Sequence, residues 1–113
     1  MMIPKAKSRC RKKHTPSILQ KKDGCCYLCM RLHGDYRKHA VIHEHHVYGG
    51  PNRPISEAQG FKVYLCLEHH ETGPEAVHRN HAIMLLVQQD MQRAFEKSDT
   101  RDHFMQLIGK NYL

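Results

Sequence analysis

Hydrophobic positions follow two different periods along this chain, and the change of period separates a strand-like part from a helical part. Residues 38–48, KHAVIHEHHVY, are rich in β-branched and aromatic types and predict a strand. Residues 61–66, FKVYLC, alternate between polar and apolar types and predict a second strand that pairs with the first. Residues 49–60 hold three glycines and two prolines, which indicates a loop between the strands.

Helical spacing dominates the C-terminal part. Asn80 is a suitable N-cap, and a long helix is predicted from there to about Lys97. A short helix is predicted after Asp99 or Thr100, with Gly109 at its end. One apolar stripe on the long helix indicates a core or dimer surface and comprises Ile83, Leu86, Val87, Met91, Ala94 and Phe95. Two strands followed by helices predict an α+β fold.

The size of the chain limits its core. With 113 residues it can form one small domain, and a bound metal ion would help to stabilise its limited core. The longest apolar run, AIMLLV, has six residues, which is far too short for a membrane span. The N-terminus lacks the apolar stretch of a secretory signal, so we expect a cytoplasmic protein.

Positive charge is concentrated at the N-terminus. The formal net charge is +7, and residues 1–22 hold eight Lys and Arg without an acid, whereas residues 23–113 hold ten bases and eleven acids. A basic segment can neutralise phosphates and release counterions, so residues 1–22 are predicted to form a flexible DNA-binding arm. A solvated tail is the alternative. The predicted DNA contacts in the arm are Lys5, Lys7, Arg9, Arg11, Lys12 and Lys13.

Five cysteines in a reducing compartment favour metal binding over disulfides. Cys26 and Cys29 form a C-x2-C pair, and Cys66 forms a C-x2-H pair with His69. Two such pairs complete a tetrahedral Cys3His shell around a structural zinc ion. Cys25 can take the place of Cys26 in this shell, and buried cysteines without metal are the alternative.

Histidines occur at the end of the first predicted strand and at the start of the helical region. A hairpin packed against a helix would bring them into one cleft, to which the strand supplies His45 and His46 and the helical region supplies His70. Phosphodiester hydrolysis needs a base, a metal ion and a polar cleft. His43 shares a strand face with His45. It would therefore lie either beside the metal or on the surface. The histidines interpreted as surface residues are His14, His33, His39, His81 and His103.

The order of these motifs is similar to that of a known family. A C-x2-C pair, a His-His doublet before a glycine-rich loop, and L-C-x2-H-H resemble the His-Me finger nucleases, the HNH or ββα-metal superfamily, in their zinc-knuckle form. Small phage and prophage nucleases of the recombination-enhancement type are similar in length and in their C-terminal helices. The resemblance implies a zinc-knuckle ββα-metal core at residues 23–80 and packed C-terminal helices at residues 81–113.

The resemblance also implies roles for individual residues. His46 would be the general base, while His45 and His70 would hold a catalytic divalent ion and His69 would complete the zinc shell. His78 is expected to reach the cleft as a further ligand of the catalytic ion. Magnesium, manganese, nickel and zinc are the candidate ions, the last three being suited to a histidine-rich shell. The further bases expected to hold the DNA backbone are Arg37, Lys38, Arg53 and Arg79.

Phe61 departs from the pattern of the family. These nucleases commonly have an asparagine a few residues before the second zinc pair, where its side chain helps to orient the base. Asn52 and Gln59, in the predicted loop, are candidate substitutes. The sequence therefore leaves open which group would hold the imidazole of His46.

A metal-dependent DNA endonuclease or nickase, encoded by a phage or prophage, is the favoured function. A zinc-stabilised DNA-binding or recombination-accessory protein without catalysis is the alternative. An interaction protein built on the long C-terminal helix is a third class. The expected partners are DNA and either a recombination protein or a second copy of the chain, with no membrane.

Overall fold

A computed structural model describes residues 14–113, and the predicted DNA contacts from Lys5 to Lys13 lie outside this range. Helices surround a two-stranded antiparallel sheet, so the α+β prediction is confirmed. No helix within residues 14–113 has the length and apolar character needed to cross a membrane. The elements in chain order are α1 (Tyr27–His33), β1 (His43–His46), a 3₁₀ turn (Gly50–Asn52), α2 (Arg53–Gln59), β2 (Lys62–Leu65), a π-helical turn (Glu68–Thr72), α3 (His81–Glu96) and α4 (Arg101–Ile108).

The two strands pair as the sequence predicts, but both are shorter than the pattern indicates. His43 lies opposite Leu65 and His46 lies opposite Lys62. Because β2 has only four residues, the ladder ends where His43 meets Leu65. Lys38, predicted to begin the first strand, forms an isolated antiparallel bridge with Cys25.

The predicted loop between the strands is wrong, because this segment contains a helix. A 3₁₀ turn leads directly into α2, and Pro51 and Pro54 lie in the first turns of these two elements, where a missing N–H breaks no helical hydrogen bond. Gly60 ends α2 in the left-handed conformation, with φ of 78°. A Cβ at Gly60 would also lie 2.3 Å from the carbonyl oxygen of Pro16. The prolines and the glycine therefore mark the ends of a helix.

The two C-terminal helices are confirmed, with the caps that the sequence indicates. Asn80 accepts hydrogen bonds through its side chain from the N–H groups of Ala82 and Ile83, at the start of α3. Thr100 caps α4 in the same way, and Gly109 ends it in the left-handed conformation. These local signals give accurate helix boundaries because each one satisfies backbone groups that the helix itself leaves unpaired.

An aromatic cluster joins the sheet to the C-terminal helices. Phe61 is fully buried, and its ring centroid lies 5.5 Å from those of Tyr48 and Phe95. Phe104 of α4 packs 5.4 Å from the ring of Tyr48. The Tyr48 hydroxyl donates a 2.6 Å hydrogen bond to the carbonyl oxygen of Gln88 in α3. Phe61, which replaces the asparagine of the resembled family, is therefore a central residue of the core.

Replacement of Phe61 by asparagine is expected to destabilise the fold strongly. The change removes a buried ring and leaves a polar amide in an apolar cluster, so the free energy of unfolding should fall by about 3–5 kcal/mol or more. Urea denaturation of zinc-loaded Phe61→Asn measures the loss. Phe61→Leu is the matched control and should lose less, because it stays apolar. Equal stability of Phe61→Asn and the wild type would contradict this position in the core.

Candidate metal centres

Three elements bring together the four predicted zinc ligands. Cys26 is the N-cap of α1 and Cys29 lies in its first turn, so both thiols face one point. Cys66 directly follows β2, and His69 lies on the π-helical turn. All four side chains are buried and form one cluster that can hold a metal ion such as zinc.

The distances within this cluster fit a tetrahedral ion. Nδ1 of His69 lies 3.5, 3.4 and 3.5 Å from the sulfurs of Cys26, Cys29 and Cys66, and the sulfurs of Cys29 and Cys66 are 4.0 Å apart. With Zn–S bonds of about 2.3 Å and Zn–N bonds of about 2.0 Å, tetrahedral angles require about 3.5 Å between sulfur and nitrogen and about 3.8 Å between sulfurs. The cluster is therefore already close to the geometry of a closed structural site.

Cys25 lies outside the cluster, which decides between the two members of the cysteine doublet. Its thiol donates a 3.2 Å hydrogen bond to the carbonyl oxygen of Tyr36, and its backbone pairs with Lys38. Cys26 instead accepts a hydrogen bond from the N–H of Cys29, at 3.5 Å, and so faces His69. Cys26 is the residue that can bind the ion.

Burial raises the pKa of the Cys26 and Cys29 thiols above the usual range, and the neighbouring sulfurs add to the effect. Without an ion, the thiols would therefore keep their protons, because thiolates would repel one another in a poorly solvated site. A bound cation would offset that penalty, and its binding would release the protons. The chemistry of the donor set thus agrees with its geometry.

Two histidines interpreted as surface residues lie beside the Cys3His cluster. His39 Nε2 is 3.7 Å from the sulfur of Cys29. His33 Nε2 is 2.8 Å from a carboxylate oxygen of Glu75, and the same oxygen is 3.6 Å from Nε2 of His69. Outer groups of this kind orient metal-binding side chains. Glu75 is not recognisable from the motifs, because Gly73 and Pro74 separate it from the C-x2-H pair.

Zinc content provides a direct test of the ligand set. The purified protein should contain about one equivalent of tightly bound zinc, and Cys66→Ser should lose both the metal and the cooperative fold, because structural zinc contributes folding free energy. Cys25→Ser is the matched control, since Cys25 is buried beside the cluster but makes a different contact. Elemental analysis and circular dichroism measure the two effects. Zinc loss in Cys25→Ser equal to that in Cys66→Ser would contradict the assignment.

A second cluster combines the three histidines predicted to bind a catalytic ion. His45 comes from β1, His70 from the π-helical turn and His78 from the segment before α3. The ring centroids of His45 and His70 are 5.5 Å apart, and those of His45 and His78 are 5.2 Å apart. Nε2 of His70 lies 3.2 Å from Nε2 of His78. We call these three residues the histidine triad.

Two backbone hydrogen bonds hold His70 and His78 of the triad side by side. The N–H of Val77 donates to the carbonyl oxygen of His69 at 2.9 Å, and the N–H of His78 donates to that of His70 at 3.4 Å. The chain therefore returns after Gly73-Pro74 and runs beside the π-helical turn. This return is what brings His78 next to His70, as the sequence analysis expected.

His45 is the most deeply buried member of the triad, with 5% of its surface exposed. Its Nε2 is the only buried side-chain nitrogen or oxygen within residues 14–113 without a hydrogen-bond partner. Burial, together with the neighbouring His70, His78 and His46, lowers the pKa of His45 to about 3. The imidazole is therefore neutral near pH 7, and an unpartnered nitrogen in such a place is expected to have a ligand.

His43 also reaches the triad. Its Nδ1 lies 3.0 Å from Nδ1 of His70, and the two rings meet edge to face. Of the two positions considered for His43, beside the metal or on the surface, the half-buried contact with His70 favours the first. Burial and the neighbouring His78 and His43 lower the pKa of His70.

His46 occupies the opposite face of β1, so the expectation that it shares a cleft with His45 and His70 is not met. Consecutive strand residues alternate between faces, and Nε2 of His46 lies 2.5 Å from a carboxylate oxygen of Glu57 in α2. His46 still lowers the pKa of His45, so the two rings interact electrostatically. The strand separates the predicted base from the predicted metal ligand.

Glu57 is the centre of a polar network that the sequence motifs do not predict. Its carboxylate also accepts hydrogen bonds from buried Lys62, at 2.9 Å, and from His14, at 2.7 Å. Hydrogen bonds from His46, Lys62 and His14 lower the pKa of Glu57 to about 2. Glu57 was missed because its segment was assigned to a loop, although the run SEAQ contains good helix formers.

The four basic residues predicted near the site are distributed around it. Arg53 lines an open groove that also contains His46 and Glu57. Arg79 follows His78, and its guanidinium donates a 3.0 Å hydrogen bond to the carbonyl oxygen of Thr72. The other two lie on the segment after α1, where Arg37 is paired with Asp35 and Lys38 contacts the carbonyl oxygen of Asp23.

Comparisons of the chain with family models, with curated proteins and with solved structures gave no match. The resemblance of its motifs to those of the HNH nucleases is therefore used below only to propose a function. What the geometry defines is a small α+β protein with a Cys3His cluster that can hold a metal ion and a histidine triad beside it.

Proposed function

We propose that this protein is a metal-dependent DNA endonuclease or nickase of the zinc-knuckle HNH type. The observation that carries the proposal is the convergence of His45, His70 and His78, together with the buried, unpartnered Nε2 of His45. Three imidazoles, from β1, the π-helical turn and the segment before α3, could supply part of a coordination shell, and the remaining positions of the ion would be open to water and to a phosphate.

The histidine triad has the chemistry of a catalytic metal site. Its members are imidazole nitrogen donors, which suit manganese, nickel or zinc better than magnesium. The low pKa of His45 keeps its nitrogen available as a ligand at neutral pH. A divalent ion bound there would polarise the scissile phosphate and stabilise the charge that develops on the leaving oxygen.

His46 is the proposed general base, with Glu57 in the orienting role left open by Phe61. The carboxylate of Glu57 would accept the proton of Nε2, which fixes the tautomer in which Nδ1 carries the lone pair. Because β1 separates His46 from the triad, the phosphate would have to extend from the ion around the strand to the face of His46, where Nδ1 would take a proton from the attacking water. The pairing of a histidine with a carboxylate that holds its ring is a common arrangement for proton transfer.

Basic residues on both sides of the strand support a phosphate backbone as the substrate. Arg53 lies in the groove of His46, and Arg79 lies beside His78. Residues 1–22, with eight Lys and Arg, would add charge that favours any nucleic acid. Contacts of this kind carry no base code, so we expect weak sequence specificity. We also propose that the protein is encoded by a phage or prophage and that a recombination protein is its partner.

A zinc-stabilised DNA-binding or recombination-accessory protein without catalysis is the second candidate. It is favoured by the engagement of His46 with Glu57 and Lys62 on the face of β1 opposite the triad, since such a network can be purely structural. The third class, an interaction protein built on α3, has less support. Val87, Met91 and Phe95 of the apolar stripe of α3 are buried in the core.

Metal-dependent cleavage of DNA tests the proposal. Supercoiled and single-stranded DNA are incubated with zinc-loaded protein in magnesium, manganese or nickel. His45→Ala should abolish cleavage, and His46→Ala should reduce its rate by about 10²–10⁴-fold, as for loss of a general base. His103→Ala is the matched control, because His103 lies half-buried on α4, where it pairs with Asp99, and belongs to neither histidine group of β1. Undiminished cleavage by His46→Ala would refute the base assignment, and no cleavage with any ion would favour the DNA-binding alternative.

Glu57→Gln tests the orienting role. The amide can accept only a neutral hydrogen bond from His46, so the cleavage rate should fall by about 10-fold or more while the zinc content stays constant. The rate is measured at saturating metal on the same supercoiled substrate. Glu44→Gln is the matched control, because Glu44 also contacts Lys62 but lies 3.9 Å from Nε2 of His46. Equal losses in both variants would indicate that Lys62 and the network as a whole matter, and not the contact with His46.

A further inference from the structure

We propose that His43 is a positioning residue that fixes the tautomer of His70 and aims its metal-binding nitrogen at the triad. This inference rests on the proposed catalytic metal site. His43 has no role in the ligand set or in proton transfer described above. Its short contact with a predicted ligand is the observation that needs an explanation.

The two ring nitrogens of His70 have different partners. Nε2 faces His78 at 3.2 Å, on the side of the triad, and Nδ1 faces Nδ1 of His43 at 3.0 Å. A nitrogen that binds an ion must present a lone pair, so in a neutral imidazole the proton is then on the other nitrogen. Nδ1 of His70 would therefore donate, and Nδ1 of His43 would accept.

His43 is suited to this task because its backbone is fixed. It lies in β1 opposite Leu65 and projects on the same face as His45, two residues along the strand. The same rigid strand therefore carries one ligand of the ion and the partner that would orient a second ligand. Metal-binding histidines generally donate their second N–H to such an outer group, and its loss typically lowers metal affinity by about 10–100-fold.

Glu71 is the competing acceptor for the same proton. A carboxylate oxygen of Glu71 lies 3.6 Å from Nδ1 of His70, which is beyond hydrogen-bond length, and 56% of its side chain is exposed. An ion pair between this carboxylate and a protonated His70 would be largely screened by water. The shorter and more enclosed contact is the one with His43.

Nickel affinity at the triad is the appropriate measurement, since it does not depend on cleavage. Zinc-loaded protein is titrated with Ni²⁺ by calorimetry, and retained zinc is measured afterwards. His43→Ala should weaken nickel binding by about 10–100-fold. His43→Asn should restore most of the affinity, because its amide oxygen can take the place of the accepting Nδ1. Glu71→Gln, the matched control, should bind nickel like the wild type.

The outcomes separate this inference from the proposed function. If His45→Ala removes nickel binding while His43→Ala leaves it unchanged, the triad is a metal site and the role of His43 is wrong. If Glu71→Gln loses affinity and His43→Ala does not, Glu71 is the orienting group. If the wild type binds no nickel beyond its zinc, both the metal site and the role of His43 are overturned. Failure of His43→Asn to recover affinity would also count against a hydrogen-bonding role.

Discussion

The Cys3His cluster is the constraint on which the rest of this structure depends. A two-stranded sheet is at best marginally stable by itself, and each strand here has only four residues. The cluster joins the start of α1 to the end of β2 and to the π-helical turn. The sheet is thus held on one side by metal-binding groups and on the other by the aromatic packing of Tyr48, Phe61 and Phe104.

The two faces of β1 have different electrostatic characters. The face of His45 holds a group of imidazoles, and burial and the neighbouring histidines lower the pKa of His45 and His70. The face of His46 holds Glu44, Glu57 and Lys62 in a network of ion pairs. A strand with two adjacent histidines can therefore present one as a ligand and keep the other next to a carboxylate. Alternation of side chains along the strand is enough to produce this difference.

The sequence was most informative where the chemistry is local. The two C-x2-C/H pairs predicted a cluster that forms as expected, because each pair lies within one turn, and Asn80, Thr100 and Gly109 predicted helix ends for the same reason. Prediction failed where the meaning of a residue depends on tertiary context. The prolines near α2 begin helical turns, and Phe61 fills the core. The separation of His46 from the triad could have been anticipated from strand alternation, whereas its contact with Glu57 needed the packing of α2 against β1.

The neighbouring positions of His69 and His70 on the π-helical turn have a thermodynamic consequence. One residue faces the Cys3His cluster and the next faces the histidine triad, and both backbone carbonyls accept hydrogen bonds from the segment that carries His78. An ion in the first cluster would restrict the turn and so reduce the entropy that a second ion must overcome at the triad. Because such coupling is reciprocal, the affinity of each site would depend on the occupancy of its neighbour, with the repulsion between two cations acting against the entropic gain.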